Sequence, residues 1–235
     1  MESVRTAEGA PQRPQHEAAM SATAGEPLGD GATPADEQGY PHRWLATSVL
    51  LLASVLDLID GTIVNVAIPS IQRDLGTSYA AIQWVVAGYS LAFALLLVTG
   101  GRLGDIFGRK RMFVAGVVGF TLASALSGAA INPAMLIGAR VFQGAAAAIM
   151  IPQVLAIFQV IFPPKERPAA FGVYGAILGL TAVAGPILGG VIVQANLFGQ
   201  AWRPIFYLNV IVGVAAVIAA LVFVPESKAP QALRL

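Results

Sequence analysis

Six stretches of this chain are apolar enough and long enough to cross a lipid bilayer, and nothing else in the sequence limits its fold so tightly. A bilayer core takes about 20 apolar residues per helix. The stretches run over residues of about 45–68, 79–99, 113–130, 134–160, 169–193 and 204–224. Short connections separate them: QRDLGTS, GRLGDIFGRKR, INP, FPPKERP and QANLFGQAWRP. Lipid offers no partner for a bare peptide group, so a serial set of such spans is helical. Only 11% of the residues are charged, against about 25% in a soluble domain. The expected fold class is an all-α membrane protein, a six-helix transmembrane bundle over residues 42–227 with tails at 1–41 and 228–235.

The first 41 residues are a different material, rich in Ala, Gly, Pro and acids, and holding seven of the thirteen Asp and Glu residues. Such a segment buries too little apolar area to offset its ordering entropy and is expected to be disordered. It does not read as a signal peptide, because no apolar stretch occurs before Trp44. Cationic residues orient the spans. With the amino terminus in the cytoplasm, eleven of the fourteen Lys and Arg residues fall on the inner side. Arg73 and Arg203 fall outside, and Arg140 lies within a span. Trp84 and Trp202 are then expected at the outer interface as aromatic anchors. The implied location is the plasma (inner) membrane, with the bilayer itself as a partner.

A net charge of +1 leaves no basic face for nucleic acid. There are no cysteines, and the two histidines, His16 and His42, lie in or just after the polar tail, so no metal site or histidine base is expected. No Ser-centred elbow appears either, and the chain does not read as an enzyme.

The charges inside the spans carry the functional signal. An ionisable side chain there costs about 2.5–3.5 kcal/mol and marks a functional site by default. Three qualify: Asp57 and Asp60 in LLASVLDLIDGTIVNVAIP, and Arg140 in LIGARVFQGAAAA. Asp57 and Asp60 share a helix face. From the helical rise, Asp60 lies about 12 Å below the outer end of its span and Arg140 about 9 Å below its own. The two are therefore expected to face each other across an aqueous cavity, as a proton-coupled site needs. A static pair that fixes packing is the other reading. Asp57, with no obvious partner, is a second proton site or a cavity-lining residue. Asn65, Tyr89, Gln143 and Asn209 are further candidates to line the cavity. In the fifth span, Gly175 with Gly179 and Gly185 with Gly189 are GxxxG pairs that permit close helix approach. Pro186 removes an amide from the ladder and is expected to bend the helix as a hinge or seal.

Residues 100–113, GGRLGDIFGRKRMF, gather four cations and an aspartate between two spans. Holding a cytoplasmic loop in place explains the charge but not the pattern. The pattern resembles the signature loop of the major facilitator superfamily, through Gly101, Leu103, Asp105, Gly108, Arg109 and Lys110. More narrowly the chain is similar to the amino-terminal half of the fourteen-helix drug:proton antiporters. The carriers are Asp60, Thr62, Asn65 and Pro69 in the first span, Arg140, Gln143 and Gly144 in the fourth, and Gly185, Pro186, Gly189 and Gly190 in the fifth. IQWVVAGYSLAFA and AWRPIFYLNV look like the second and sixth helices of the group.

The resemblance implies half of a major facilitator fold, two inverted three-helix repeats. It implies Asp60 as the proton-linked acid, Arg140 as its support, the 100–113 loop as a brace between two halves, and the Pro186 region as a seal. Hydrophobic, often cationic small molecules would be exported against inward protons, with no cofactor beyond the proton gradient. A second bundle of six to eight helices is an implied partner. The chain is accordingly expected to be part of a longer product, then a self-pairing or hetero-pairing half-transporter, then a decayed gene. An exporter of one endogenous metabolite, and a non-transporting membrane partner or inactive fragment, are the competing functions.

Overall fold

A computed structural model describes residues 40–227, and the tails expected at 1–41 and 228–235 lie outside it except for Tyr40 and Pro41. Six long helices follow one another: α1 Arg43–Leu75, α2 Tyr79–Phe107, α3 Arg109–Gly128, α4 Pro133–Ile161, α5 Arg167–Ala195 and α6 Arg203–Phe223. A single 3₁₀ turn, Leu197–Gly199, precedes α6. All six are long and apolar enough to span a membrane.

The connections carry the chemistry that starts and stops helices. The Ser78 hydroxyl accepts from the Ala81 amide at 3.2 Å to open α2, and Asn132 Oδ1 accepts from the Met135 amide at 2.8 Å to open α4. Prolines at the first turns of α4, α5 and α6 sit where no helical amide bond is lost. Helix α1 closes on Gly76 at φ 57°, and Gly108 at φ 104° is the single residue between α2 and α3. Only glycine takes that backbone without strain.

That last point corrects the sequence reading. Residues 100–107 and 109–113 are helical, so the signature segment is the end of α2 and the start of α3 broken at Gly108, not an extended loop. Helix α1 likewise runs on to Leu75. Tyr40 belongs to the bundle rather than the tail, its amide donating to the Ile161 carbonyl at 3.1 Å. Helix α5 is continuous through Pro186, and α1 and α4 likewise continue through Pro69 and Pro152. Trp202 is fully buried, with its indole N–H donating to Asp74 at 3.0 Å; of the two expected anchors, Trp84, 56% exposed, has the openness of one.

Packing follows the repeat. Helix α4 lies on α2 and α3, α1 lies on α5 and α6, and α3 meets α6. Exchanging each helix for the one three places along maps these pairings onto themselves, as two related three-helix units require. Small residues set the crossings. A Cβ on Gly100 would stand 2.0 Å from the Ala148 carbonyl oxygen, and one on Gly144 2.2 Å from that of Tyr89, which locks α2 to α4. Gly185 and Gly189 abut Thr62 and Ile63 of α1, so this GxxxG pair is an interhelical contact. Gly175, Gly179 and Gly190 meet nothing within 4 Å, and the first GxxxG pair makes no close approach in this bundle. Two apolar clusters fill the ends, one around Leu50, Phe113 and Phe158, the other around Ile63, Leu136, Trp202 and Phe206. A smaller one around Leu56, Tyr89 and Phe120 lies between them.

Gly144→Val should therefore lower stability by about 1–3 kcal/mol through overpacking, whereas Gly175→Ala should change it by less than about 0.5 kcal/mol. Thermal unfolding in detergent micelles checks both, and equal effects would refute the assigned crossings.

Candidate functional site

At mid-bundle, five helices converge on one carboxylate. Asp60 of α1 is 0% exposed, and Arg140 of α4 is 1% exposed. They form a direct ion pair, Arg140 Nη1 donating to Asp60 Oδ2. The cavity expected between them is thus absent: the side chains touch, because α1 and α4 pack closely enough for the long guanidinium arm to reach. Asp60 Oδ1 accepts from Gln143 Nε2 at 2.9 Å and from Asn209 Nδ2 of α6 at 2.6 Å. Gln143 also donates to Ser124 Oγ of α3 at 2.8 Å and accepts from Arg140 at 2.8 Å. Arg140 Nε donates to the Val85 carbonyl of α2 at 3.2 Å, and its guanidinium lies 4.3 Å from the Tyr89 ring centroid.

The local sequence explains the convergence. Arg140 and Gln143 are three apart on α4 and present one face, while Gly144 lets α2 come close enough for Val85 and Tyr89 to close over that face. A buried charge of either sign is tolerable only when paired and hydrogen-bonded. Here both conditions are met on every side. Removing a partner leaves the carboxylate or the guanidinium short of donors or acceptors, so the network is a set of few discrete arrangements rather than a soft contact.

Asp57, one turn from Asp60, is half-buried and accepts a hydrogen bond from the Tyr89 hydroxyl. It therefore has the partner that the sequence reading did not find. Of the four expected cavity residues, Tyr89, Gln143 and Asn209 are buried and belong to this network, and only Asn65 is exposed. Asn65 Nδ2 donates back to the Gly61 carbonyl at 3.3 Å. Sequence reasoning missed Ser124, whose place in an apolar span was the available signal, and the Val85 carbonyl, which no side-chain pattern could mark.

The signature residues form a second polar cluster at one end of the bundle. Asp105 pairs with Arg109 at 3.4 Å, and Arg109 Nη1 donates to the Ala156 carbonyl of α4 at 3.3 Å. The Arg109 amide donates to the Ser227 carbonyl at 2.9 Å, and Lys110 Nζ donates to that of Leu221 at 2.9 Å. Beside them Gln153 Nε2 donates to the Gly100 carbonyl at 2.8 Å. These charges tie α2, α3, α4 and α6 together within the bundle. At the other end Asp74 holds Arg203 at 3.0 Å, and Arg203 donates to the carbonyls of Gly128 and Ala130 at 3.0 and 2.6 Å. Among the described residues no group of His, Asp and Glu could hold a metal ion.

The family model described as "Major Facilitator Superfamily" matches residues 50–234. The chain is 53% identical over 202 residues to the probable actinorhodin transporter of Streptomyces coelicolor, covering 86% of this chain and 35% of that protein. It is 43% identical over 196 residues to the puromycin resistance protein pur8 of Streptomyces alboniger, covering 83% and 38%. To the tetracenomycin C resistance and export protein of Streptomyces glaucescens it is 39% identical over 211 residues, covering 89% and 38%. The chain thus spans a little over a third of the length of these relatives. Among solved structures, a bacterial homologue of the human lysosomal transporter Spinster, inward-facing and occupied, superposes with TM-score 0.66 at 22% identity. That match covers 80% of this chain and 46% of the other, and is a likeness of fold.

Replacing Arg140 with Ala should destabilise the chain by about 3–5 kcal/mol, the cost of an uncompensated buried charge. Arg140→Lys should cost less, since it keeps the charge. Asn209→Ala should cost about 1–3 kcal/mol. Denaturation in mixed micelles reads all three, and an Arg140→Ala chain as stable as the unaltered one would contradict the pairing.

Proposed function

The chain belongs to the major facilitator superfamily, and on that premise we propose that it forms the amino-terminal bundle of a proton-coupled exporter of hydrophobic or cationic small molecules. It is a membrane-embedded transporter chain and not an enzyme. The observation that carries the reading is Asp60: a carboxylate sealed among apolar spans, held by donors from α4 and α6, and paired with the Arg140 guanidinium, 80 residues away in the chain. Such an acid is costly to keep unless its charge is used. Arg140 and Asn209 hold the carboxylate here, and helix movement that withdraws either of them is the step that would let it exchange a proton. Alternating access supplies that movement, and the proton gradient is the energy source in place of any cofactor.

The relatives are named for actinorhodin transport, puromycin resistance, and tetracenomycin C resistance and export. These names support export of small molecules as the activity of the whole transporter, with multidrug breadth as the proposed finer property. A second bundle, in the same longer chain or another subunit, completes the substrate site. The orientation proposed is amino terminus in the cytoplasm, so that Arg102, Arg109, Lys110 and Arg111 lie on the inner side. There, Gly101, Leu103, Asp105, Gly108, Arg109 and Lys110 hold the ends of α2, α3 and α6 as one brace while the halves rock. Gly185 and Gly189 fix α5 against α1 as the seal, with Pro186, which is exposed, and Gly190 on the same helix left to meet the other half. An exporter of one endogenous compound is the second reading, favoured by the 53% identity to a transporter named for a single product.

The test is proton release evoked by drug addition to inside-out vesicles in which the unaltered chain or its Asp60→Asn variant is assembled with its second bundle. Release that disappears in the variant is the expected outcome. Equal release in both removes Asp60 from coupling, and none in either from properly inserted chain contradicts transport by this bundle.

A further inference from the structure

The end of the bundle away from the signature segment carries three charges among the described residues: Arg73 and Asp74 at the end of α1, and Arg203 at the start of α6. Asp74 is satisfied by Arg203 and by the Trp202 indole, both donating to Oδ2 at 3.0 Å. Arg73 is the cation left over. Its Nε donates to the Pro69 carbonyl at 3.2 Å, one turn back on its own helix, and it enters no ion pair among the described residues. Both Nη groups therefore have no protein partner there, and they form the fork that suits two oxygens of a phosphate or carboxylate.

A cleft of about 430 Å³ lies beside it, bounded by Ser70, Arg73 and Asp74 of α1, by Val193 and Asn196 at the end of α5, and by Ala201. The three α1 residues share one face of its last turns. Ser70 is only 7% exposed, yet its hydroxyl makes no hydrogen bond among the described residues. By contrast Ser48, Ser54 and Ser90, on the same helix or the next, each donate to a carbonyl one turn back. A nearly enclosed hydroxyl without a partner is costly, and a ligand in the cleft would take it up. Asn196 is oriented by its own bond: Oδ1 accepts from the Ala201 amide at 2.9 Å, so Nδ2 is the end left to donate. That bond also holds Ala201 at φ 47°, a left-handed backbone that alanine takes only at a cost. The cleft thus gathers a guanidinium, a hydroxyl and an amide donor, while its one acid is already neutralised.

Depth selects the anion that reaches it. Helix α1 has 33 residues, about 50 Å at the helical rise, against a hydrocarbon core of about 30 Å. Its apolar stretch ends near residue 68, so Ser70 to Asp74 stand at the level of the lipid headgroups. The oxyanion that a bilayer supplies at that level is the phosphate of a phospholipid.

We propose that this cleft binds the phosphate of a phospholipid headgroup, with Arg73 as the bidentate contact and Ser70 and Asn196 as the further donors. The bound lipid ties the end of α1 to the end of α5, the two helices that Gly185 and Gly189 bring together deeper in the bundle. Such binding goes beyond the export reading and does not depend on proton coupling.

Native mass spectrometry of the full chain released from detergent micelles tests the site. Phosphatidylethanolamine is the probe, and diacylglycerol with the same acyl chains is the lipid without phosphate. The unaltered chain should retain phosphatidylethanolamine in preference to diacylglycerol, and excess inorganic phosphate should not displace it. Arg73→Ala should weaken retention by about tenfold, as for loss of a charge-assisted hydrogen bond, and Arg73→Lys should restore part of it. Asn196→Asp keeps the acceptor for Ala201 but turns the donor into a second acceptor, so it should weaken retention as well. Arg111→Ala, which removes an exposed cation at the opposite end of the bundle, should leave retention unchanged. Circular dichroism and thermal melting establish that each variant is folded. The proposal is overturned by equal retention of diacylglycerol, or by folded Arg73→Ala and Asn196→Asp variants that hold phosphatidylethanolamine as before. An equal loss in Arg111→Ala would overturn it too, since lipid would then be drawn to cations in general. Displacement by inorganic phosphate would overturn the lipid as occupant and assign the cleft to the free anion.

Discussion

Everything at the centre of this bundle depends on the ion pair between Asp60 and Arg140. Two opposite charges withdrawn from water must satisfy each other and fill their remaining hydrogen-bonding capacity, or the bundle is strongly destabilised. Meeting that demand takes Gln143 beside Arg140, Asn209 from α6, Ser124 from α3 and a backbone carbonyl from α2. The pair thus dictates which faces of five helices turn inward. The apolar clusters at either end then complete a packing whose angle is already set.

Close packing makes this possible. Gly144 and Gly100 bring α2 against α4 until a backbone carbonyl can serve the guanidinium. The relation between the two three-helix units gives the site its position: α1 and α4 are counterparts and contribute the acid and the base, while α3 and α6 are counterparts and contribute Ser124 and Asn209. A site on the axis between repeats feels any rocking of one unit against the other. The polar clusters at the two ends, around Arg109 and around Asp74, tie each set of helix ends together.

Much of this was legible in the sequence. Apolar length gave the six spans, since the bilayer makes that rule strict. The cost of intramembrane charge singled out Asp60 and Arg140, and the helical rise placed them at one depth. What the sequence left open depends on direction and distance between helices. Contact rather than a cavity between Asp60 and Arg140, the Tyr89 hydroxyl on Asp57, and the burial of Trp202 against Asp74 all follow from which faces meet. Composition cannot reveal that. The same limit applies to glycine: Gly175 and Gly185 look alike in the sequence, yet only the second has a helix against it. The signature segment misled for another reason. Charge and glycine suggest a loop, but one glycine at positive φ suffices to turn the chain, and helix runs up to it on both sides.

The central claim is that Asp60 exchanges a proton rather than serving as a fixed structural ion. Infrared difference spectroscopy of the full chain in nanodiscs, recorded while pH is lowered, observes this directly. If Asp60 exchanges protons, a protonated-carboxyl stretch will grow in on acidification, vanish in Asp60→Asn, and persist in Asp57→Asn. If no titrating band disappears with Asp60, the carboxylate stays charged throughout, and the pair is a structural clasp instead of a coupling site.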